Sequence, residues 1–327
     1  MSDAINFLTA AILAGTPLLF GVLGEILTEK SGNLNLGVEG MMFMGAVAGL
    51  AGSFYYEQAV SNPAPLVSAI IALLCAFLCS AFGAFIYSVL TITLRANQNV
   101  TGLALTIFGT GFGNFVGEAI GNTTKSNYMA VGNVTKGVFN SGIPVLQDLP
   151  VVGKILFSYN FLVYLAIALA ILLTWFLGRS RAGLNLRAVG ESPATADAAG
   201  INVTRYKYLA TCIGGGISGL GGLYVVMNSA NGVGGVWVHG CVNGKGWIAV
   251  ALVIFVTWNP ARALLGSLVF GALSVMRLYV PLGIPAQIYD TFPYLATILV
   301  LIAVSMRRRR ENQPPASLGF AYFREER

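Results

Sequence analysis

The chain is short of charge. Only 10% of its 327 residues are Asp, Glu, Lys or Arg, against roughly 25% in a typical soluble domain. With 56% hydrophobic residues and a mean hydropathy of +0.73, that poverty excludes a soluble enzyme, whose core must still be covered by polar surface. A disordered chain is excluded by the same numbers. The net charge of +6 is gathered at particular loops, so no nucleic-acid partner is expected. One histidine, His239, leaves no second histidine for a metal dyad; no metal, cofactor or catalytic residue is expected. The cysteines Cys75, Cys79, Cys212 and Cys241 make no disulfide framework. The first three lie in apolar runs, where cysteine serves as a small hydrophobe. An ATP-binding loop is missing too. The nearest approach to G-x-x-x-x-G-K-[ST], at Gly244-Lys245, has His239 for its first glycine and Gly246 for its Ser/Thr. No run of alternating ten-residue strands suggests a barrel.

What is abundant is apolar length. A spanning helix needs about 20 mostly apolar residues. Nine candidates run over 5–27, 37–54, 66–93, 98–119, 159–178, 208–228, 246–258, 261–280 and 291–306. The fold class is therefore an all-α polytopic membrane protein with about nine transmembrane helices, in a range of eight to ten. The seventh candidate is short: it tilts, or joins its neighbour through a break at Asn259-Pro260. The second opens on polar residues, as a broken helix does. The first lacks the basic start of a cleavable signal, Asp3 being its only early charge. No convincing internal repeat is visible.

Lys and Arg set the orientation. The segment 179–207 carries Arg179, Arg181, Arg187, Arg205 and Lys207, and the tail carries Arg307 to Arg310, Arg324 and Arg327. Nine spans put both inside together with Lys30, Arg95 and Arg262, which makes 14 of the 19 basic residues. Lys125, Lys136, Lys154, Lys245 and Arg277 fall outside or within a span. The expected organisation is a transmembrane domain over 1–310, with the N-terminus and a long loop 120–158 outside, a loop 179–207 inside, and a cytoplasmic tail 311–327.

Polar residues at membrane depth are costly and therefore informative. Glu25, Asn33, Asn35 and Glu39 cluster around SGNLNLGVEGMM; Asn97, Gln98, Asn99 and Thr101 open the fourth span; Asn114 and Glu118 lie near its other end. Two readings stand. Asn33 and Asn35 cap a helix whose first turn holds Glu39, or Asn33, Asn35, Glu39, Asn97, Asn99 and Asn114 border a path for a neutral, hydroxyl-rich or heterocyclic solute, which amides both donate to and accept from. The run GGGISGLGG at 214–222 offers small-x-x-x-small pairs for close helix packing, within the protein or across a subunit interface. In the loop 179–207, Ser192-Pro193 starts a short helix over 193–199, with small alanines and Gly200 at its end. It is either a docking peg for a soluble partner or an idle loop.

Four stretches carry a resemblance: GEILTEKSGNLNLGVEGMMFMGA, NQNVTGLALTIFGTG, LRAVGESPATADAAGINVTRYKY and GKGWIAVALVIFVTWNPARALLGSLVFGAL. They cover about a third of the chain, and their order extends the match over 5–306. The chain resembles the permease subunits of ATP-driven (ABC) importers of the ribose, nucleoside and branched-chain amino acid group, closest to the shorter of two related permeases in nucleoside systems. The resemblance implies a type II importer-like fold. It also implies a cytosolic ABC ATPase, a second related permease (a heterodimer), an extracytoplasmic substrate-binding lipoprotein, a small-molecule solute and a place in the bacterial cytoplasmic membrane. Carried onto this sequence, it makes Arg187, Gly190, Glu191, Pro193, Ala194 and Gly200 the ATPase coupling loop, with Ala188 among them. The chain departs from the pattern at Val256-Thr257, where many relatives have Gly-Arg, and at Trp247. The tail after Arg310 has no counterpart.

The expected function is the passive, path-forming permease of a nucleoside importer, with a simple-sugar or autoinducer importer as the alternative. An ion-coupled transporter would call for inverted repeats and a midplane carboxylate. A membrane enzyme would call for paired catalytic groups.

Overall fold

In lipid each backbone polar group must be satisfied within the protein, which favours helices. The computed structural model describes residues 2–142, 157–228, 234–281, 283, 285–306 and 313–323; their regular structure is helical apart from one antiparallel bridge, Ala130 to Val236, and turns and irregular chain join the helices. The helices are α1 (Ser2–Glu29), α2 (Val38–Ala59), α3 (Pro65–Ser88, ending in a π turn, Val89–Thr93), α4 (Gln98–Asn122), α5 (Asn133–Asn140), α6 (Phe161–Arg179), α7 (Arg181–Glu191), α8 (Pro193–Ala198), α9 (Val203–Met227), α10 (Lys245–Phe255), α11 (Pro260–Tyr279) and α12 (Ala286–Met306). Among the described residues, α1, α2, α3, α4, α6, α9 and α11 are long and apolar enough to cross a membrane. The apolar α10, of 11 residues, and α12, of 21, occupy the seventh and ninth expected spans. The expected loop 120–158 is partly helical through α5; residues 143–156 of it, with Lys154, and the expected Arg307–Arg310 lie outside the described residues.

The seventh span does not run on into the eighth. Thr257 and Trp258 take left-handed backbone (φ 53° and 54°), Pro260 fixes the first turn of α11, and the Asn259 side chain accepts from the Ala261 N–H. The chain reverses there, and Gly266 of α11 packs back on Leu252 and Val256 of α10. So α10 is a half-length helix. The second span is also interrupted. After α1 ends, residues 30–37 fold back along it as irregular chain, and Val38 and Met42 of α2 lie against Gly21 of α1. Gly21 is eight residues, about 12 Å, above the α1 end.

Helix α9 is the central post, packed on α1, α2 and α3. The glycine run belongs to this internal packing. Gly214 meets Gly24, Gly219 meets Gly45 and Ser80, Gly221 meets Pro17, and Gly222 meets the Met42 carbonyl, so that any β-carbon would collide. The direction of these pairs makes α1 and α9 antiparallel. Three of the other pairings have a counterpart under exchange of halves. The pair α1–α11 matches α9–α3, α1–α10 matches α9–α2, and α2–α4 matches α10–α12. These three correspondences, with α1 antiparallel to α9, relate elements of the first half to elements of the second although the sequence shows no repeat.

Lys30, Arg95, Arg179, Arg181, Arg187, Arg205 and Arg262 all sit at the end of the bundle where α1, α3 and α6 finish and α4, α9 and α11 begin. This is called the basic end below. Lys125, Lys136 and the exposed pair His239–Glu118 mark the opposite end.

Candidate functional site

Three groups of residues meet the polar positions singled out in the sequence. The first is the folded-back segment 30–37. Its backbone is held by side chains from the helices around it. Leu34 N donates to Gln98 Oε1 at 2.6 Å and Leu34 O accepts from the Tyr87 hydroxyl at 2.5 Å. Asn35 N donates to Glu25 Oε1 at 3.1 Å, and Leu36 O accepts from Thr106 Oγ1 at 2.8 Å. The Asn33 amide donates to Thr211 Oγ1 of α9 at 3.0 Å, while its own oxygen is buried without a hydrogen-bond partner among the described residues. Asn35 Oδ1 accepts from Gly37 N at 2.9 Å, within the turn that leads into α2. Neither asparagine is the α2 cap; that position is Gly37, which offers no side chain. Irregular backbone at this depth is stable only when its donors and acceptors are met by protein in this way.

The second group surrounds Glu39. Its carboxylate accepts from Gly244 N at 2.8 Å and from Gly246 N at 2.6 Å. The first turn of α2 therefore closes the open N-terminus of α10, whose unpaired N–H groups and dipole favour an anion there. Gly244 reaches this place in left-handed backbone (φ 80°), and a β-carbon on Gly246 would strike the Glu39 main chain. Two interrupted elements meet here, α2 from the first half of the chain and α10 from the second. Asn114 joins the same connection from α4: its Oδ1 accepts from Gly240 N at 3.1 Å. A cleft of about 770 Å³ between α1, α9, α10 and α11 reaches in to Lys245, with Thr9, Tyr224, Asn228, Ser274 and Tyr279 among its walls.

The third group is at the basic end. Asn97 caps α4, its side chain accepting from Val100 N, and Asn99 is exposed beside it. The six polar residues assigned to a path therefore divide. Asn33 and Asn35 lie together, Glu39 and Asn114 brace the connection into α10, and Asn97 and Asn99 stand at the start of α4. The loop 179–207 is more ordered than expected. The sequence locates α8, with Ser192 capping and Pro193 in the first turn, but α7 was not foreseen. Its signals were Ser180, whose hydroxyl accepts from Gly183 N, and an inward stripe of Gly183, Leu186, Val189 and Gly190. Val189, Ala196 and Val203 form a small core of their own. Within the expected coupling residues the structure separates two kinds. Arg187, Glu191, Ala194 and Gly200 are exposed and Pro193 is half-buried. Gly190 turns inward, so close to the Lys30 carbonyl that no β-carbon fits. Burial, with Arg187 adding repulsion, holds the Lys30 ammonium below the usual lysine range.

The polar residues thus lie in a bundle of long apolar helices, two elements of which start at interruptions braced by glycines and amides. The family model for the branched-chain amino acid transport system permease component matches residues 7–301. The permease protein TsgC13 of Haloferax volcanii, assigned to a glucose ABC transporter, is 36% identical over 99% of both chains. The guanosine ABC transporter permease protein NupQ of Bacillus subtilis is 33% identical over 89% of both. The nucleoside ABC transporter permease protein NupC of Lactococcus lactis is also 33% identical over 89% of both. The chain belongs to the branched-chain amino acid transport system permease family. It is a multi-pass plasma-membrane permease of an ABC importer and not an enzyme, and ATP hydrolysis belongs to a separate subunit.

Proposed function

We propose that this permease carries nucleosides inward, together with a second, related permease, a cytosolic ABC ATPase and an extracytoplasmic substrate-binding lipoprotein. The observation that carries the solute reading is the full-length similarity to two permeases named for guanosine and nucleosides. The geometry is compatible with it: amides and hydroxyls, able to donate and accept, surround the interruptions. TsgC13 favours a second reading, a simple sugar; the two solutes share a hydroxyl-rich ring.

In this reading the chain alternates between two states, and the ATPase supplies the difference in their stabilities. The outward face of α4 exposes Asn99, Leu103, Ile107, Phe108 and Phe115 and faces the second permease across the path. Asn33 and Asn35 sit behind its first turn, and Asn114, on α4, and Glu39, on α2, brace the connection into α10. The basic end is cytoplasmic, and Arg187, Glu191, Pro193, Ala194 and Gly200 face the ATPase.

The test of function is uptake into vesicles holding the full complex. Labelled guanosine or uridine is expected to enter only with ATP on the cytoplasmic side, and to keep entering after the proton and sodium gradients are collapsed. Competition by glucose but by no nucleoside would move the solute to the sugar reading; dependence on a gradient in place of ATP would refute both. Orientation is tested separately in a cysteine-free background. A membrane-impermeant thiol reagent on intact cells is expected to label Asn140→Cys and to leave Thr195→Cys unlabelled. Labelling of Thr195→Cys alone would reverse the topology.

A further inference from the structure

The residues after the last span return across the basic end and lock onto it. Two turns shape the return, Leu318 N to Pro315 O at 3.0 Å and Phe320 N to Ser317 O at 3.1 Å, with Gly319 in left-handed backbone (φ 84°). Pro315 is buried, Leu318 packs on the main core, and the Tyr322 ring packs on Val189, Ala196 and Val203. On one side the return holds the helix pair α7–α8. Ser317 donates twice to the Gly190 carbonyl, from its N at 3.0 Å and its Oγ at 2.5 Å. The Tyr322 hydroxyl donates to Asp197 Oδ2 at 2.8 Å. On the other side it holds the interrupted segment and the start of α4. Gly319 N donates to the Gly32 carbonyl at 3.3 Å, and the Phe320 carbonyl accepts from Gln98 Nε2 at 3.4 Å. That same Gln98 side chain holds Leu34 through its oxygen. The Arg95 guanidinium lies 4.5 Å over the Phe323 ring.

We propose that residues 315–323 are a coupling strap. They are positioning residues that bind α7–α8 to the segment 30–37, so that displacement of the helix pair moves the interrupted segment with it. The proposal rests on the reading of α7–α8 as the ATPase-facing element. The physical reason is leverage. Without the strap, α7 is packed on α6 and α9 but meets the segment at Gly190, against Lys30 and Gly32, and one close approach transmits distance without direction. The strap adds a second attachment on each partner, and two attachments fix direction as well as distance. The segment it grips is itself tied to α1, α3, α4 and α9 through Glu25, Tyr87, Gln98 and Thr211, so movement of Gly32 reaches every wall of the interruption. Packed side chains and hydrogen-bond networks of this kind carry coupling between distant sites when the element they form shifts between two arrangements.

The experiment compares wild type, a chain ending at Asn312, and full-length Ser317→Ala/Tyr322→Phe, each assembled with its partner subunits in liposomes. The readouts are co-purification of the ATPase, ATP hydrolysis, and solute taken up per ATP hydrolysed. Both variants are expected to assemble and hydrolyse ATP near the wild-type rate. The double variant loses two hydrogen bonds from the strap and is expected to take up about tenfold less solute per ATP, the truncation at least as much less. Unchanged uptake per ATP in the double variant overturns the strap, and so does loss of the ATPase from that variant, which would make the tail a docking element. If the truncated chain fails to insert, the double variant decides alone. Failure of the underlying reading shows elsewhere: a complex with bulk added at Ala194 would transport normally.

Discussion

Glu39→Ala is expected to destabilise the permease by about 2–4 kcal/mol, because the buried Gly246 N–H and the half-buried Gly244 N–H lose their acceptor at once. The carboxylate accepts from Gly244 and Gly246 at the open end of α10, and Lys245 stands beside it, so removal leaves positive charge and a helix N-terminus facing each other without an anion. Glu39→Gln keeps one acceptor oxygen and turns an amide toward the second N–H. It is expected to fall between wild type and alanine. Thermal unfolding of the detergent-purified complex measures both, and uptake is expected to fall in the same order. A Glu39→Ala protein with the wild-type midpoint would mean that water or a rearranged loop satisfies α10, and the bracing role of Glu39 would be withdrawn.

Ala194→Trp is expected to abolish uptake, a fall of at least about a hundredfold, while insertion and folding remain normal. Ala194 is exposed on α8, so an indole there meets nothing in this chain. It does enlarge the surface offered to the ATPase, and a clash at a fitted interface costs several kcal/mol. Co-purification of the ATPase is expected to be lost together with uptake. The contrasting substitution is Gly190→Trp, which must displace the Lys30 carbonyl and is expected to disrupt folding before docking arises. Wild-type uptake in Ala194→Trp would show that α8 is no docking element.

The two substitutions also show where sequence reasoning stopped. Gly190 and Ala194 look alike as small residues in one loop, and their spacing gives no sign that one faces inward. That direction is set by α7, an eleven-residue helix whose short inward stripe, Gly183, Leu186, Val189 and Gly190, is set among the polar Arg181, Asn185, Arg187 and Glu191. The glycine run was legible as close packing because small residues in a membrane helix have few other uses. Whether it packed within the chain was decided by its partners Gly24, Gly45, Ser80 and Met42, which lie far away in sequence. The polar cluster around Asn33 and Asn35 was legible as an interruption, since lipid penalises such residues in a continuous span. Its internal bonds were not, because each partner (Glu25, Gln98 and Thr211) comes from a different helix.

By itself the sequence determined that the chain crosses the membrane, about how often, and that its basic residues gather in particular connections between spans. These follow from local terms, apolar length and the cost of charge and unpaired backbone in lipid, which act within one segment at a time. Only the tertiary structure decided that the start of α2 meets the start of α10 at Glu39, that α1 and α9 pack antiparallel, and that the tail returns to α7. Each of these joins residues tens to hundreds of positions apart, and such pairings are fixed by which surfaces fit once the helices are assembled, a property that no single stretch of chain possesses.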